Sequence, residues 1–318
     1  MADTEHYVRE DVRGFLTMLE QMGGPQMDEI SIDQARGAYM AMASIAEADA
    51  RQLAVVRDLT CPGPAGDIPL RLYDAQEHRA AGPVVMFFHG GGFTIGDLDT
   101  HNAFCTELAA ALDLPVVAVH YRLAPEAPFP AAPEDCEAAT RWVAGSPQEL
   151  GRQVTGLITT GDSAGGNLSI VIAQALADRA AAVPVILQAP IYPIASPVEE
   201  TTSFKSFGEG FLLTARTMGF FSDSYAADPD DKRNYPILHD NHAATPPTVL
   251  ITAGLDPLRD SGREYAAHLI QHGVDVIYLE AKGNVHGFVN IRKAVPSAQG
   301  DVEALVAAIK LMLERHSA

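Results

Sequence analysis

Along the chain, apolar positions first recur at helical spacing and later gather into short continuous runs. Val8, Val12, Phe15, Leu16, Leu19 and Met22 form one stripe that Gly23, Gly24 and Pro25 end, which predicts a first helix. Ser31 followed by Gln34 has the form of a capping box and opens a second predicted helix carrying Ile32, Tyr39 and Ile45. Strand signals begin near residue 54. Segments 54–61 and 67–74 flank Pro62, Gly63, Pro64 and Gly66, which predicts a hairpin. Beyond it, apolar strands at 83–88, 115–121, 156–160, 184–189, 248–253 and 274–280 alternate with amphipathic helices. The last of these helices carries Val302, Leu305, Ile309 and Leu313.

This alternation predicts an α/β fold with a mostly parallel sheet of about eight strands, covered by helices on both faces. Residues 196–240 do not fit it. They hold a polar loop, an apolar helix-like run (Phe211, Leu212, Leu213, Met218, Phe220, Phe221) and a Pro/Asp-rich tail. Long insertions in compact domains are usually functional, so the segment is read as part of a cap and not as an ordinary crossover. The two helices within 1–50 are the other cap candidates, leaving 51–318 as the main domain.

Composition narrows the function classes. The formal net charge of −19 repels phosphate backbones and anionic lipid heads, which counts against nucleic-acid and polybasic membrane roles. Such acidity accompanies a salty habitat or is plain composition. Cys61, Cys105 and Cys136 are odd in number and form no C-x-x-C pair, so reduced thiols in a cytoplasmic protein are expected. Residues Met1 to Glu10 are charged and show no apolar signal-peptide core. No apolar run approaches the roughly 18 residues of a membrane span.

Two glycine-bearing motifs carry chemistry. Gly161-Asp162-Ser163-Ala164-Gly165 fits G-x-S-x-G between a predicted strand and a predicted helix, the context of a nucleophile elbow. Gly161 and Gly165 leave room for a sharp turn that exposes the Ser163 hydroxyl. The helix N-terminus behind it favours a developing negative charge. His89-Gly90-Gly91-Gly92 follows another apolar strand, and its backbone N–H groups can converge on one oxygen, with a further donor from Ala164. No Gly-Lys-Ser/Thr follows, so a phosphate-binding P-loop is excluded. An acid and a histidine should then come later in the chain, in that order. Asp256 directly follows the strand 248–253 and is preferred over Asp260, one helical turn on, which is expected to cap or pair locally. His286 is the histidine with the right order and a loop position. His101 and His120 lie upstream of the serine, His239 and His242 precede the acid, and His272 falls in a predicted helix. No pair has H-E-x-x-H spacing.

Together with Tyr121-Arg122-Leu123-Ala124-Pro125-Glu126, Asp256-Pro257-Leu258 and His286-Gly287-Phe288, these motifs resemble the hormone-sensitive-lipase family of microbial carboxylesterases, in its GDSAG form. The likeness runs in order over about residues 55–315. It implies an α/β-hydrolase fold with a helical cap and hydrolysis of short- to medium-chain acyl esters without cofactor or metal. It also implies oxyanion donors at Gly91, Gly92 and Ala164 with Gly90 as a further candidate, a shaping role for His89, and a homodimer, as in many relatives. Phe93, Phe211, Leu212, Met218 and Phe221 would then line an acyl pocket or form the cap's own core. A small-molecule receptor on the same fold, and an amidase or lactonase using the same serine, are the alternatives.

Overall fold

The computed structural model describes residues 6–316, so the first half of the charged N-terminal stretch lies outside the described residues. One eight-stranded sheet organises the chain, in the order β1-β2-β4-β3-β5-β6-β7-β8. β1 (Val55–Gly63) and β2 (Gly66–Asp74) form the expected hairpin. β2 joins β4 (Val116–Val119) antiparallel; β3 (Gly82–Phe88), β5 (Val154–Asp162), β6 (Val185–Ile191), β7 (Thr248–Leu255) and β8 (Val276–Val285) then run parallel to β4.

The continuous apolar runs make sense once both faces of the sheet are covered. In β3, Val85 and Phe87 point into one core with α3 (Asn102–Leu112) and α9 (Ala298–Arg315). Val84, Met86 and Phe88 point into the other, with α4 (Ala131–Ala144) and α5 (Ala164–Asp178). All five are fully buried. Each such side chain contributes about 1.5–3 kcal/mol of transfer free energy, so alternate residues of a single strand stabilise both layers.

The N-terminal helices are α1 (Glu10–Met22) and α2 (Ile32–Ala46), and the Ser31/Gln34 capping box opens the second. Their stripes are only partly covered. Val12 and Phe15 are buried, whereas Met22 and Ile45 are exposed, because each helix meets the body over a limited patch. The 196–240 segment departs further from expectation. Its polar start contains a helix, α6 (Thr202–Phe207), capped by the Thr201 side chain. The apolar run begins as a turn, with Leu212 at φ 70°, and becomes helical only in α7 (Ala215–Tyr225). Two other bounds shift. β8 continues to Val285, and His272 caps α8 (Arg259–Gln271) instead of lying within it. All three cysteines are free and buried. Among the described residues, no helix is long and apolar enough to cross a membrane.

His239, His242, His268 and His272 gather where the 236–245 loop meets α8, with the His242 ring centroid 4.3 Å from that of His268 and 5.3 Å from that of His272. Burial holds His242 below the ordinary histidine value. The Ile237 carbonyl, which accepts from its Nε2, opposes this, and His268, His239 and His272 add to the depression. A histidine depressed in the folded state contributes stability that is fully present above its unfolded value, near 6.5, and is lost progressively as pH falls from there through the lower folded-state value. Thermal melts should therefore show the gap between the wild type and His242→Asn narrowing from pH 7.5 to pH 5. A gap that widens in acid would reverse the assignment.

Candidate active site

The site is assembled at the C-terminal edge of the sheet from the ends of four strands. β5 ends at Asp162, and the chain turns into α5 through Ser163, held at φ 56°, ψ −116°. A non-glycine residue at positive φ is strained, and tertiary packing must over-determine it. Here the Ser163 N–H donates to the Ile191 carbonyl of β6 (2.9 Å), and its own carbonyl accepts from Asn167 (3.0 Å). The flanking glycines are required by space. A Cβ on Gly165 would lie 2.5 Å from the Phe88 carbonyl carbon and 2.8 Å from the His89 oxygen. One on Gly161 would lie 2.5 Å from the Gly165 oxygen.

β7 ends at Leu255 and delivers Asp256; β8 ends at Val285 and delivers His286. His286 Nε2 lies 2.8 Å from Ser163 Oγ, and its Nδ1 lies 2.7 Å from Asp256 Oδ2. Asp256 is fully buried, and its other oxygen accepts the Leu258 N–H at 2.8 Å. Tyr192 packs behind the imidazole, ring centroids 4.6 Å apart. The three residues thus form one hydrogen-bonded line from buried carboxylate to accessible hydroxyl, which can move a proton off the serine and hold the resulting imidazolium. Asp260 takes no part. It accepts the Ser203 N–H of α6 and pairs with Arg259 and Arg263.

The glycine loop leaves the end of β3. Gly91 and Gly92 stand at φ 117° and 57°, where an L side chain would be strained. The Gly91 carbonyl accepts from Thr94 and Ile95, and the Gly92 carbonyl accepts from the Thr94 hydroxyl, so the loop is tied down by its oxygens. The first N–H of α5, that of Ala164, has no acceptor in a preceding turn. Gly90 differs from its neighbours. Its N–H donates to Asp162 Oδ1 at 2.8 Å and is already committed there. The His89 ring stacks on Tyr121, centroids 4.2 Å apart, and the Tyr121 hydroxyl donates to the His89 carbonyl at 2.7 Å. Burial, with help from His101, pushes His89 down to about 3, so its ring is neutral at ordinary pH.

Two further side chains lie against the site, His101 and Phe221. His101, set aside as upstream, is buried with Nε2 3.2 Å from Asp162 Oδ1. Phe221 of α7 lies over the glycine loop, so close that a Cβ on Gly92 would overlap its ring. Phe221 is among the pocket or cap-core candidates, whereas spacing gives no signal for the contact of His101 with Asp162. Among the described residues, no group of three or more His, Cys, Asp or Glu side chains is placed to hold a metal ion.

Residues 85–290 match the profile of a family described by its α/β-hydrolase fold. The carboxylic ester hydrolase LipN of Mycobacterium tuberculosis is 40% identical over 270 residues, covering 82% of this chain and 71% of its own. An ethyl acetate hydrolase of Pseudomonas putida is 32% identical over 290 residues, covering 89% and 91%. Among solved structures, an ester hydrolase from the metagenome of Lake Arreo, complexed with a bipyridine phosphonate derivative, superposes with a TM-score of 0.89 at 32% identity, covering 98% of this chain and all of that one.

Proposed function

Because the chain belongs to this α/β-hydrolase family, we propose that it runs ester hydrolysis through Ser163 as nucleophile, His286 as general base and Asp256 as the carboxylate that orients the base. The chain is a carboxylic ester hydrolase, the activity for which its relatives are named. The observation that carries the residue roles is the unbroken Asp256–His286–Ser163 line, with contacts of 2.7 and 2.8 Å. A receptor that only bound an ester would have no use for that alignment.

In the first half-reaction, Ser163 Oγ attacks the ester carbonyl carbon as His286 Nε2 takes its proton. The tetrahedral oxyanion rests on the N–H groups of Gly91, Gly92 and Ala164. The C–O bond to the leaving alcohol breaks as His286 returns the proton to that oxygen, leaving an acyl-serine. In the second half, water gives its proton to His286 and attacks the acyl carbon. On collapse the bond from the acyl carbon to Ser163 Oγ breaks as His286 returns the proton to that oxygen, which releases the carboxylic acid and restores the serine. Asp256 keeps the imidazole in one tautomer and stabilises its charged form without taking the proton.

The proposal includes a cap made from the N-terminal helices and the 196–240 segment. Arg36 of α2 donates to the carbonyls of Thr94 and Ala124 and pairs with Glu126. Arg216 of α7 pairs with Asp28 and Glu29 at 2.9 Å, joining the two cap pieces. Phe221 over Gly92, and Leu212 beside Gly287, favour the acyl-pocket role for these two residues over a purely internal one. Three free cysteines support a cytoplasmic setting. The homodimer rests on family resemblance.

A series of p-nitrophenyl esters from acetate to palmitate tests the reading. Turnover should be highest on the short acyl chains and fall away toward palmitate, and Phe221→Ala should move the fall to longer chains. Flat activity across the series, unchanged in Phe221→Ala, would sink the short-chain preference and the pocket assignment together.

A further inference from the structure

Asp162 has no part in the proton line, yet it is the most constrained carboxylate near it. It immediately precedes the nucleophile and is nine-tenths or more buried. Its Oδ1 accepts the Gly90 N–H at 2.8 Å and lies 3.2 Å from His101 Nε2, while its Oδ2 lies 3.5 Å from the Tyr192 hydroxyl. A Cβ on Gly90 would lie 2.9 Å from the Asp162 Cγ, so the glycine there makes room for the carboxylate. His101 is itself buried, and its Nδ1 lies 2.9 Å from the Thr100 hydroxyl, which fixes the ring from the far side. His89, Tyr39, Tyr121, Tyr192 and Cys105 also face the carboxylate. Burial pushes Asp162 up, but His101 and the Gly90 N–H more than offset it and hold the group below the usual carboxylate range.

Resting on the triad reading above, we propose that Asp162 and His101 act as one positioning unit: the carboxylate, steadied by the imidazole, ties Gly90 to the nucleophile turn and so fixes the distance between the oxyanion loop and Ser163. The two halves of the reaction centre come from different strands, β3 and β5, and within this network Asp162 joins them through a charge-assisted hydrogen bond. Its effect should therefore fall on the transition state, where the loop must meet the oxyanion, and little on ground-state binding.

The test is a double-mutant cycle of Asp162→Asn and His101→Gln on p-nitrophenyl butyrate, with the Gly90 amide followed by ¹H–¹⁵N NMR. Displacing catalytic donors by about 1 Å costs on the order of 10²-fold, so each single variant should lose kcat on that scale with KM moving less than about threefold. Residues acting as a unit are non-additive, so the double variant should be about as slow as the worse single one. The Gly90 amide proton should move upfield in Asp162→Asn. Losses that multiply, losses confined to KM, or an unmoved Gly90 amide would overturn the proposal. His101→Gln lies outside both the elbow and the loop and keeps the test open if Asp162→Asn fails to fold. The amide shift does not depend on turnover, so failure of the triad reading would appear separately, as wild-type activity that survives loss of the Ser163 hydroxyl.

Discussion

Ser163→Ala should lower kcat on short-chain esters by about 10⁴-fold or more while leaving the fold intact. The substitution keeps the Cβ, and with it the φ of 56° that the Ile191 and Asn167 hydrogen bonds already hold. It removes only the atom 2.8 Å from His286 Nε2. His286→Ala should cost about as much, and the double variant should be hardly slower than either, because triad members act as a unit and what remains comes from the oxyanion donors and substrate binding. Steady-state kinetics on the three variants, with thermal melts alongside, decides the matter. A serine variant retaining activity within about tenfold of wild type would remove Ser163 from the chemistry, since even loss of one oxyanion donor costs more.

The second large effect is structural. In Gly165→Ala the new methyl would stand 2.5 Å from the Phe88 carbonyl carbon, nearer still to its oxygen, and 2.8 Å from the His89 oxygen. All of these are backbone atoms at the end of β3, so no side chain can swing away. Relief requires α5 to move off β3, which opens the core that α4 and α5 build on that face of the sheet. Overpacking costs about 1–3 kcal/mol where the surroundings yield. Here they cannot, and a loss above about 4 kcal/mol is expected, the scale reserved for exceptional substitutions. At about 2–4 °C per kcal/mol for a chain of this order of size, the melting temperature should drop by roughly 10 °C or more. Gly219→Ala is the control: it sits in α7 with nothing within 4 Å of the added Cβ. Equal melting temperatures for the two variants would refute the packing argument.

Most of the fold was legible in the sequence because period and punctuation agreed. Strands such as β3 read as unbroken apolar runs, since helices cover both faces, and proline or glycine marked their ends. The elbow and the order of serine, acid and base followed from motif context. What escaped was decided by contacts distant in the chain. H-G-G-G gives no sign that an aspartate 72 residues on accepts the Gly90 N–H. His101 looked idle because only order along the chain was weighed. In the 196–240 segment, hydrophobicity around Phe211–Leu213 suggested a helix. Those side chains instead serve contacts made by a turn, while the polar residues around Thr201 supply the cap of α6. Met22 and Ile45 matched a helical period but found no partner surface, and periodicity cannot count how much of a stripe will be covered.

The strand order also bears on how the protein is made. Synthesis delivers Ser163 on β5 long before β7 brings Asp256 and β8 brings His286. A ribosome-bound or nicked chain that stops short of β8 carries a strained hydroxyl with no group to deprotonate it. On the proposed roles of Ser163 and His286, such unfinished copies should be inert toward esters, and reactivity should arrive together with the last strand that completes the sheet.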